Sequence, residues 1–467
     1  MTRNRDLFVK DPLETTIPNL GVTKVRQPET AEEWEVLRYE LRSFVCDGEY
    51  HAGLERILST FLEYLDKPSQ PAVWVSGFYG SGKSHLVRIL EHLWRDTTFP
   101  DGATARGLVH LPNDIKALLT ALSTTGRRNG GLWSAAGTLS AGTSENVRLT
   151  FLGILFQSAG LPSLYPSARF ALWLKSEGLY DAVKARVEAQ GRNFSSELAN
   201  LYVSPVLMES LLAVYPDFAP NSQEGRKILR EQFPNRTDVS EDEVIATVEE
   251  ILSLQSTAPD KLPCTLLVLD ELQQFIGDDP ERALQVQSIV ESCSSRFRSR
   301  ILLVATGQED LGSSPQLQKL QGRFTVRVRL SETDIDRVVR EVVLRKRPDM
   351  VPTLRTALER VSGEIDRHLV GTRIGATQAD QDDLIADYPL LPVRRRFWER
   401  VLRAVDTAGK AGQLRTQLML IHEANRQVAD KPVGCVIPGD AIYRLIEPDM
   451  LQSGVLQREL HLIIRGA

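Results

Sequence analysis

The chain of 467 residues predicts an α/β fold with a parallel sheet core, a helical insertion and a C-terminal helical lid. Three stretches predict it. The apolar residues 73–76 lead into a glycine-rich turn and then a helical pattern. Residues 264–269 (Cys-Thr-Leu-Leu-Val-Leu) and 301–305 (Ile-Leu-Leu-Val-Ala) are nearly continuous apolar runs, as strands buried on both faces of a parallel sheet are. The intervals between them carry helical periodicity, which parallel neighbours need for their crossovers.

Taken in order, residues 1–33 mix Pro12, Pro18 and Pro28 with polar residues and predict an extended N-terminal arm. A core spans residues 34–335. Its first helix begins near Trp34 and carries Leu37, Leu41 and Phe44 on one face. After Gly48 a second helix turns Leu54, Ile57, Leu58, Phe61, Leu62 and Leu65 inward, until Pro68 and Pro71 break it.

The strand at 73–76 then opens the pattern G-x-x-x-x-G-K-[ST], from Gly77 through Gly80, Ser81, Gly82 and Lys83 to Ser84. This is the P-loop pattern, and each position has a physical task. The glycines let backbone N–H groups curve around phosphate oxygens. Lys83 brings a point charge to the β- and γ-phosphates, and the Ser84 hydroxyl can ligate Mg²⁺. The following helix aims its positive end at the nucleotide.

Beyond it, residues 97–107 read as loop, 111–122 as helix, 126–131 as a turn or tip, 132–139 as a strand and 145–158 as a helix. Residues 161–255 are helical with interruptions at Pro205, Pro216, Pro220 and Pro234, and read as an insertion. The acidic run Ser240-Glu241-Asp242-Glu243 suits a helix start better than a metal site.

The strand at 264–269 ends in Asp270-Glu271. Asp270 is expected to orient Mg²⁺ or its water ligands, and Glu271 to act as general base on the attacking water. No Asn-Lys-x-Asp follows, which favours adenine over guanine. The strand at 301–305 ends in Thr306-Gly307-Gln308; Thr306, and after it Gln308, is the candidate for positioning the lytic water, the alternative being a plain strand cap. In Gly322-Arg323-Phe324, Arg323 is a candidate arginine finger toward a neighbouring subunit, or else an ordinary surface arginine.

Residues 336–467 form the expected lid, with helices at 332–347, 354–369 and 392–407 and a final one at 414–428. Arg415 on the first turn of the last is placed to contact phosphates and couple lid angle to nucleotide state. The clusters Arg345-Lys346-Arg347 and Arg394-Arg395-Arg396 read as solvated helix faces, with DNA phosphates as the alternative partner.

Composition bounds the rest. A net charge of −5 supplies no global footprint for nucleic acid, so DNA contact would be a local patch. The four cysteines, Cys46, Cys264, Cys293 and Cys435, lack metal or redox spacing and fit a reducing compartment. No stretch is long and apolar enough to cross a bilayer, so a cytoplasmic protein with no membrane association is expected.

The order of these motifs looks like an AAA+ ATPase of the origin-recognition type. More closely, Phe44-Val45-Cys46-Asp47-Gly48-Glu49-Tyr50, Gly53-Leu54-Glu55-Arg56-Ile57-Leu58 and Trp74 through Ser84 to His85-Leu86 resemble the start of the BrxC/PglY family. These are large P-loop ATPases of BREX and phage-growth-limitation defence systems. Leu7-Phe8-Val9-Lys10-Asp11-Pro12 and Tyr388-Pro389-Leu390-Leu391-Pro392 fit the same family. The resemblance implies ATP hydrolysis with Mg²⁺, a homo-oligomer, and action beside a DNA methyltransferase and a phosphatase-like protein. Lys83 and Ser84, with His85 next to them, match its P-loop; Asp270 and Glu271 match its Walker B pair, Arg415 its lid arginine and Arg323 its finger. Members of that family are much longer, so the chain is expected to be an N-terminal part of one. Two other readings stand beside it: an assembly scaffold that holds ATP with little turnover, and a DNA-stimulated ATPase of another role.

Overall fold

The computed structural model describes residues 2–15, 17, 28–78, 81–139, 146–367, 370–378, 380–405, 414–452 and 456. Its centre is a five-stranded parallel sheet in the order β2-β3-β4-β1-β5. The strands are β1 (Val73–Ser76), β2 (Leu132–Thr138), β3 (Cys264–Asp270), β4 (Ile301–Gly307) and β5 (Val326–Arg329). β1, β3 and β4 are buried along their whole length, which accounts for their unbroken apolar sequences. β5 is an edge strand; its exposed Arg327 and Arg329 discourage pairing with another chain.

Alternate strand residues enter two separate cores, as a two-residue repeat requires. Val73, Val75, Leu266, Val268, Leu302 and Val304 face α1 (Ala31–Ser43), α2 (Gly48–Tyr64), α3 (Lys83–Arg95) and the helix Asn113–Arg128. Trp74, Leu267, Leu269, Leu303 and Ala305 face the other way, toward the helices from Val147–Ser158 to Glu241–Gln255 and the helix Pro280–Ser295. On that face Val147–Ser158 lies against β2 and Pro280–Ser295 against β4, and the helix Glu241–Gln255 packs on both helices. Glu241–Gln255 starts at the acidic run: Ser240 caps it, accepting from the Glu243 amide, and Glu241, Asp242 and Glu243 fill its first turn.

Several expected elements differ in detail. The helix expected at 111–122 continues to Arg128, carrying Arg127, Arg128 and the buried Gly126 where a turn was expected. Beyond Leu414–Val428 lies a further helix, Ala441–Gln452, so the former is not the last.

Within the segment expected to be an extended arm, residues 2–9 are docked on the C-terminal region. Leu7 and Phe8 are buried in the same core as the C-terminal helices. The Asn4 amide donates to Lys431 O (2.9 Å), and its side chain donates to Cys435 O (2.8 Å) and accepts from the Tyr388 hydroxyl (2.6 Å). Further along, Val9 N donates to Arg345 O and Arg347 N to Leu7 O. The segment's backbone groups are satisfied across a distance in sequence that local pattern cannot report.

The basic clusters are also largely internal. Arg395 is buried between Asp387 (2.9 Å) and Asp336, and Arg396 pairs with Asp380 (2.7 Å). Arg394 donates to the Ile437 carbonyl, and Lys346 Nζ donates to Ala386 O (2.8 Å). These side chains hold the C-terminal helices together, so neither a solvated face nor a DNA surface describes them. Arg345 and Arg347 remain exposed.

Candidate nucleotide-binding site

The carboxyl ends of β1, β3 and β4 meet at one edge of the sheet. Inserting β4 between β1 and β3 sets its last residues between the glycine-rich loop and Asp270-Glu271. Ligands of open α/β sheets bind at such carboxyl ends.

β1 delivers the chain to Gly77, where an added Cβ would lie 2.6 Å from Ser81 Oγ and 3.0 Å from Leu330 O. Gly82 has φ +87°, and a Cβ there would meet the Tyr50 hydroxyl at 2.2 Å. Both positions thus demand glycine, one for space and one also for backbone conformation. Tyr50, on the first turn of α2 and buried, donates to Ser81 O (2.7 Å) and braces the loop from outside. The buried Ser81 Oγ has no hydrogen-bond partner among the described residues. Gly80 lies outside the described residues. Lys83, the first residue of α3, donates from Nζ to Gly77 O (2.7 Å) and Phe78 O (2.9 Å). Burial pulls its pKa down to about 8, against the opposing pull of Asp270 and Glu271.

Asp270 is buried, and its carboxylate is met by three hydroxyls from three different elements. Thr306 of β4 donates to Oδ1 at 2.7 Å, Ser84 of α3 to Oδ1 at 3.1 Å and Thr138 of β2 to Oδ2 at 3.4 Å. Desolvation raises the Asp270 pKa, while these hydroxyls and Lys83 act to lower it. Glu271 follows in the left-handed region (φ 60°, ψ 28°), a conformation that a side chain rarely adopts and that concentrates at functional sites. Its amide donates to Thr306 Oγ1 at 2.9 Å. Its carboxyl pKa is raised by burial and by Asp270, and lowered by Lys83.

Thr306 is thus engaged on both sides: its hydroxyl ties Asp270 to the Glu271 backbone. Gln308 is exposed, and its amide donates to Gln273 Oε1 (2.6 Å). His85 sits with its ring 5.7 Å from that of Phe44, which in turn packs edge-on against Tyr50. Arg323 is not brought to this cluster. Its carbonyl accepts from Ala72 N, at the amino end of β1, and its guanidinium pairs with Glu291 (2.7 Å). The length of β1, about 13 Å at roughly 3.3 Å per residue, separates it from the loop. Arg415 lies on the first turn of the helix Leu414–Val428, and its side chain is outside the described residues.

The residues fit a magnesium nucleotide. A loop with no room for a Cβ at Gly77 or Gly82, an unpartnered buried hydroxyl inside it, a lysine at its helix end and a hydroxyl–carboxylate pair beside it are the donor set that phosphates and Mg²⁺ use. Sequence pattern did not single out Thr138, Gln273 or a role for Tyr50. Thr138 could be found only from strand register, which sets it opposite Asp270.

No family model matches the chain. Among solved structures, it is similar to a chain in the structure of Drosophila ORC bound to DNA, with 12% sequence identity and a TM-score of 0.31, over 97% of this chain and 74% of that one. So distant a likeness carries no argument about this protein. Among the described residues, no helix is long and apolar enough to cross a membrane.

Proposed function

We propose that this chain is an AAA+-like P-loop ATPase, an ATP-binding and hydrolysing motor or switch that needs Mg²⁺. The observation that carries the reading is the buried Asp270 carboxylate, hydrogen-bonded to the loop-helix Ser84 and followed at once by Glu271. Mg²⁺, when bound, supplies neutralisation of charge on the phosphate oxygens. Ser84 and Asp270 would hold it. Lys83 would exchange its two backbone carbonyls for phosphate oxygens. Glu271, its proton affinity raised by burial, would accept a proton from the attacking water, as a base does best when its pKa moves toward the working pH.

The resemblance of residues 44–86 to BrxC/PglY ATPases supports a place in anti-phage defence, beside a DNA methyltransferase and a phosphatase-like protein. That resemblance rests on the sequence stretches alone. Arg323, at the far end of the sheet, would reach a γ-phosphate only from a neighbouring protomer, so full turnover would need a homo-oligomer. The same geometry favours, as second reading, a scaffold that holds ATP while assembling and turns over little.

The test is ATP hydrolysis per protomer across a wide range of protein concentration, with Lys83→Ala as blank and Glu271→Gln alongside. Turnover that depends on Lys83 and falls at least ~100-fold in Glu271→Gln supports the ATPase. Activity that climbs with concentration and is lost in Arg323→Ala supports the finger between subunits. ATP binding with negligible turnover at every concentration supports the scaffold.

A further inference from the structure

Gln273 belongs to none of the motifs, yet its carboxamide is among the most engaged groups near the site. It lies on the short helix Leu272–Ile276, two residues after Glu271. Its Oε1 accepts from two consecutive amides just beyond β4, Gln308 N at 2.6 Å and Glu309 N at 2.9 Å. Its Nε2 donates to Glu309 Oε2 at 3.4 Å. The same loop is fastened on its other side to β1: Trp74 Nε1 donates to Glu309 O (3.0 Å), and Ser76 Oγ to Asp310 Oδ1 (3.2 Å). Packing there leaves no slack, since a Cβ on Gly307 would lie 2.2 Å from the Trp74 ring and 2.9 Å from Gln273 Oε1.

Two ties therefore join the end of β4 to the turn that carries Glu271. Thr306 takes the Glu271 amide, and Gln273 reaches back to the amides of residues 308 and 309. Glu271 is in the left-handed region, which is unfavourable for a residue with a side chain and persists only where its surroundings over-determine it. Thr306 alone sets a point of attachment. The second tie fixes the rotation of the short helix about that point, and so the direction in which the Glu271 carboxyl leaves the backbone.

We infer that Gln273 is a positioning residue for Glu271, holding the general base in its working orientation by clamping the loop after β4. This rests on the reading of the site as an ATPase. It contributes to turnover and not to nucleotide binding, because among the described residues its side chain bonds to Gln308 and Glu309 and not to Lys83, Ser84 or the glycine-rich loop. It also adds little to stability: Gln308 and Glu309 are exposed, so water can serve their amides when the carboxamide is gone.

The experiment compares three chains by ATP hydrolysis, ATP binding and thermal melting, with Lys83→Ala as blank. Gln273→Met keeps length and removes all three hydrogen bonds. The expected result is a kcat lower by about 10- to 100-fold, as misplacement by about an ångström produces, with ATP affinity unchanged within ~threefold and an unchanged melting temperature. The exchange Gln273→Glu with Glu309→Gln rebuilds the three bonds, a carboxylate accepting from both backbone amides and from the new side-chain amide. It should return kcat to within ~threefold of the parent. An unchanged kcat in Gln273→Met overturns the proposal, as does a loss of ATP binding or of melting temperature in proportion to the loss of rate. Failure of the exchange to restore the rate overturns it too. A parent chain without Lys83-dependent hydrolysis sinks the ATPase reading itself and this role with it.

Discussion

Thr306 Oγ1 lies 2.7 Å from Asp270 Oδ1 and accepts the Glu271 amide at 2.9 Å, so one buried hydroxyl fixes both acidic residues at once. A hydroxyl has one proton to donate, and here Asp270 takes it. The group is thereby a support for the site before it is anything else. Removing it in Thr306→Val leaves the Asp270 carboxylate with fewer donors and the Glu271 amide without its acceptor. The expected cost is about 1–3 kcal/mol of stability and at least a tenfold fall in ATP turnover. Thr306→Ser, which keeps the hydroxyl, should lose less than about 1 kcal/mol. Chemical denaturation and steady-state hydrolysis on both variants check this.

Nucleotide affinity should weaken as pH rises through about 8, the value to which burial lowers Lys83. The sign follows from proton counting. Phosphate oxygens stabilise the charged ammonium, so above pH 8 binding must take up a proton that the free site has released, and the dissociation constant rises by up to tenfold per pH unit. Lys83→Arg, whose guanidinium stays charged, should show a flat profile over the same range. For stability the sign is the reverse. Lysine's ordinary value, 10.5, lies above the folded one. Between the two the unfolded chain binds more protons, so this residue's destabilising contribution diminishes as pH rises through that window. Titration calorimetry in buffers of different ionisation enthalpy reads the proton uptake directly.

Gly82→Ala should abolish nucleotide binding. The left-handed backbone there costs an L-residue about 1–2 kcal/mol, and the new Cβ would press on the Tyr50 hydroxyl at 2.2 Å. Tyr50→Phe is the milder probe: it removes the bond to Ser81 O and leaves the packing, for about 1 kcal/mol of stability and a few-fold loss of ATP affinity. Fluorescent-nucleotide binding distinguishes the two grades of damage.

Leu7→Ala should lower the melting temperature and expose the C-terminal helices to protease, although residue 7 is far from them in sequence. Leu7 is fully buried, and truncating such a leucine costs about 2–5 kcal/mol. Limited proteolysis followed by mass mapping should find new cleavage within residues 340–450. An unchanged digest would mean that the N-terminal segment does not hold that region.

What the sequence alone determined is the chemistry that lies in contiguous residues. The loop from Gly77 to Ser84 and the strand ending in Asp270-Glu271 are legible because their strand, turn and helix signals are local, and the local backbone does the positioning. The central strands β1, β3 and β4 were legible for the same reason: burial on both faces writes itself as an apolar run. Only the tertiary structure decided what depends on strand order, register and distant partners. Thr138 joins Asp270 through the pairing of β2 with β3, and Arg323 is kept away by the parallel run of β1 beside β5. Arg395, Arg396 and Lys346 looked like a charged surface, but their partners Asp336, Asp380, Asp387 and Ala386 come from elsewhere in the C-terminal region. Leu7 and Phe8 looked like part of an extended arm because the backbone partners that dock them, Arg345 and Arg347, lie more than three hundred residues later. A charge or an apolar side chain announces that it needs a partner, and only the folded chain supplies the partner's identity.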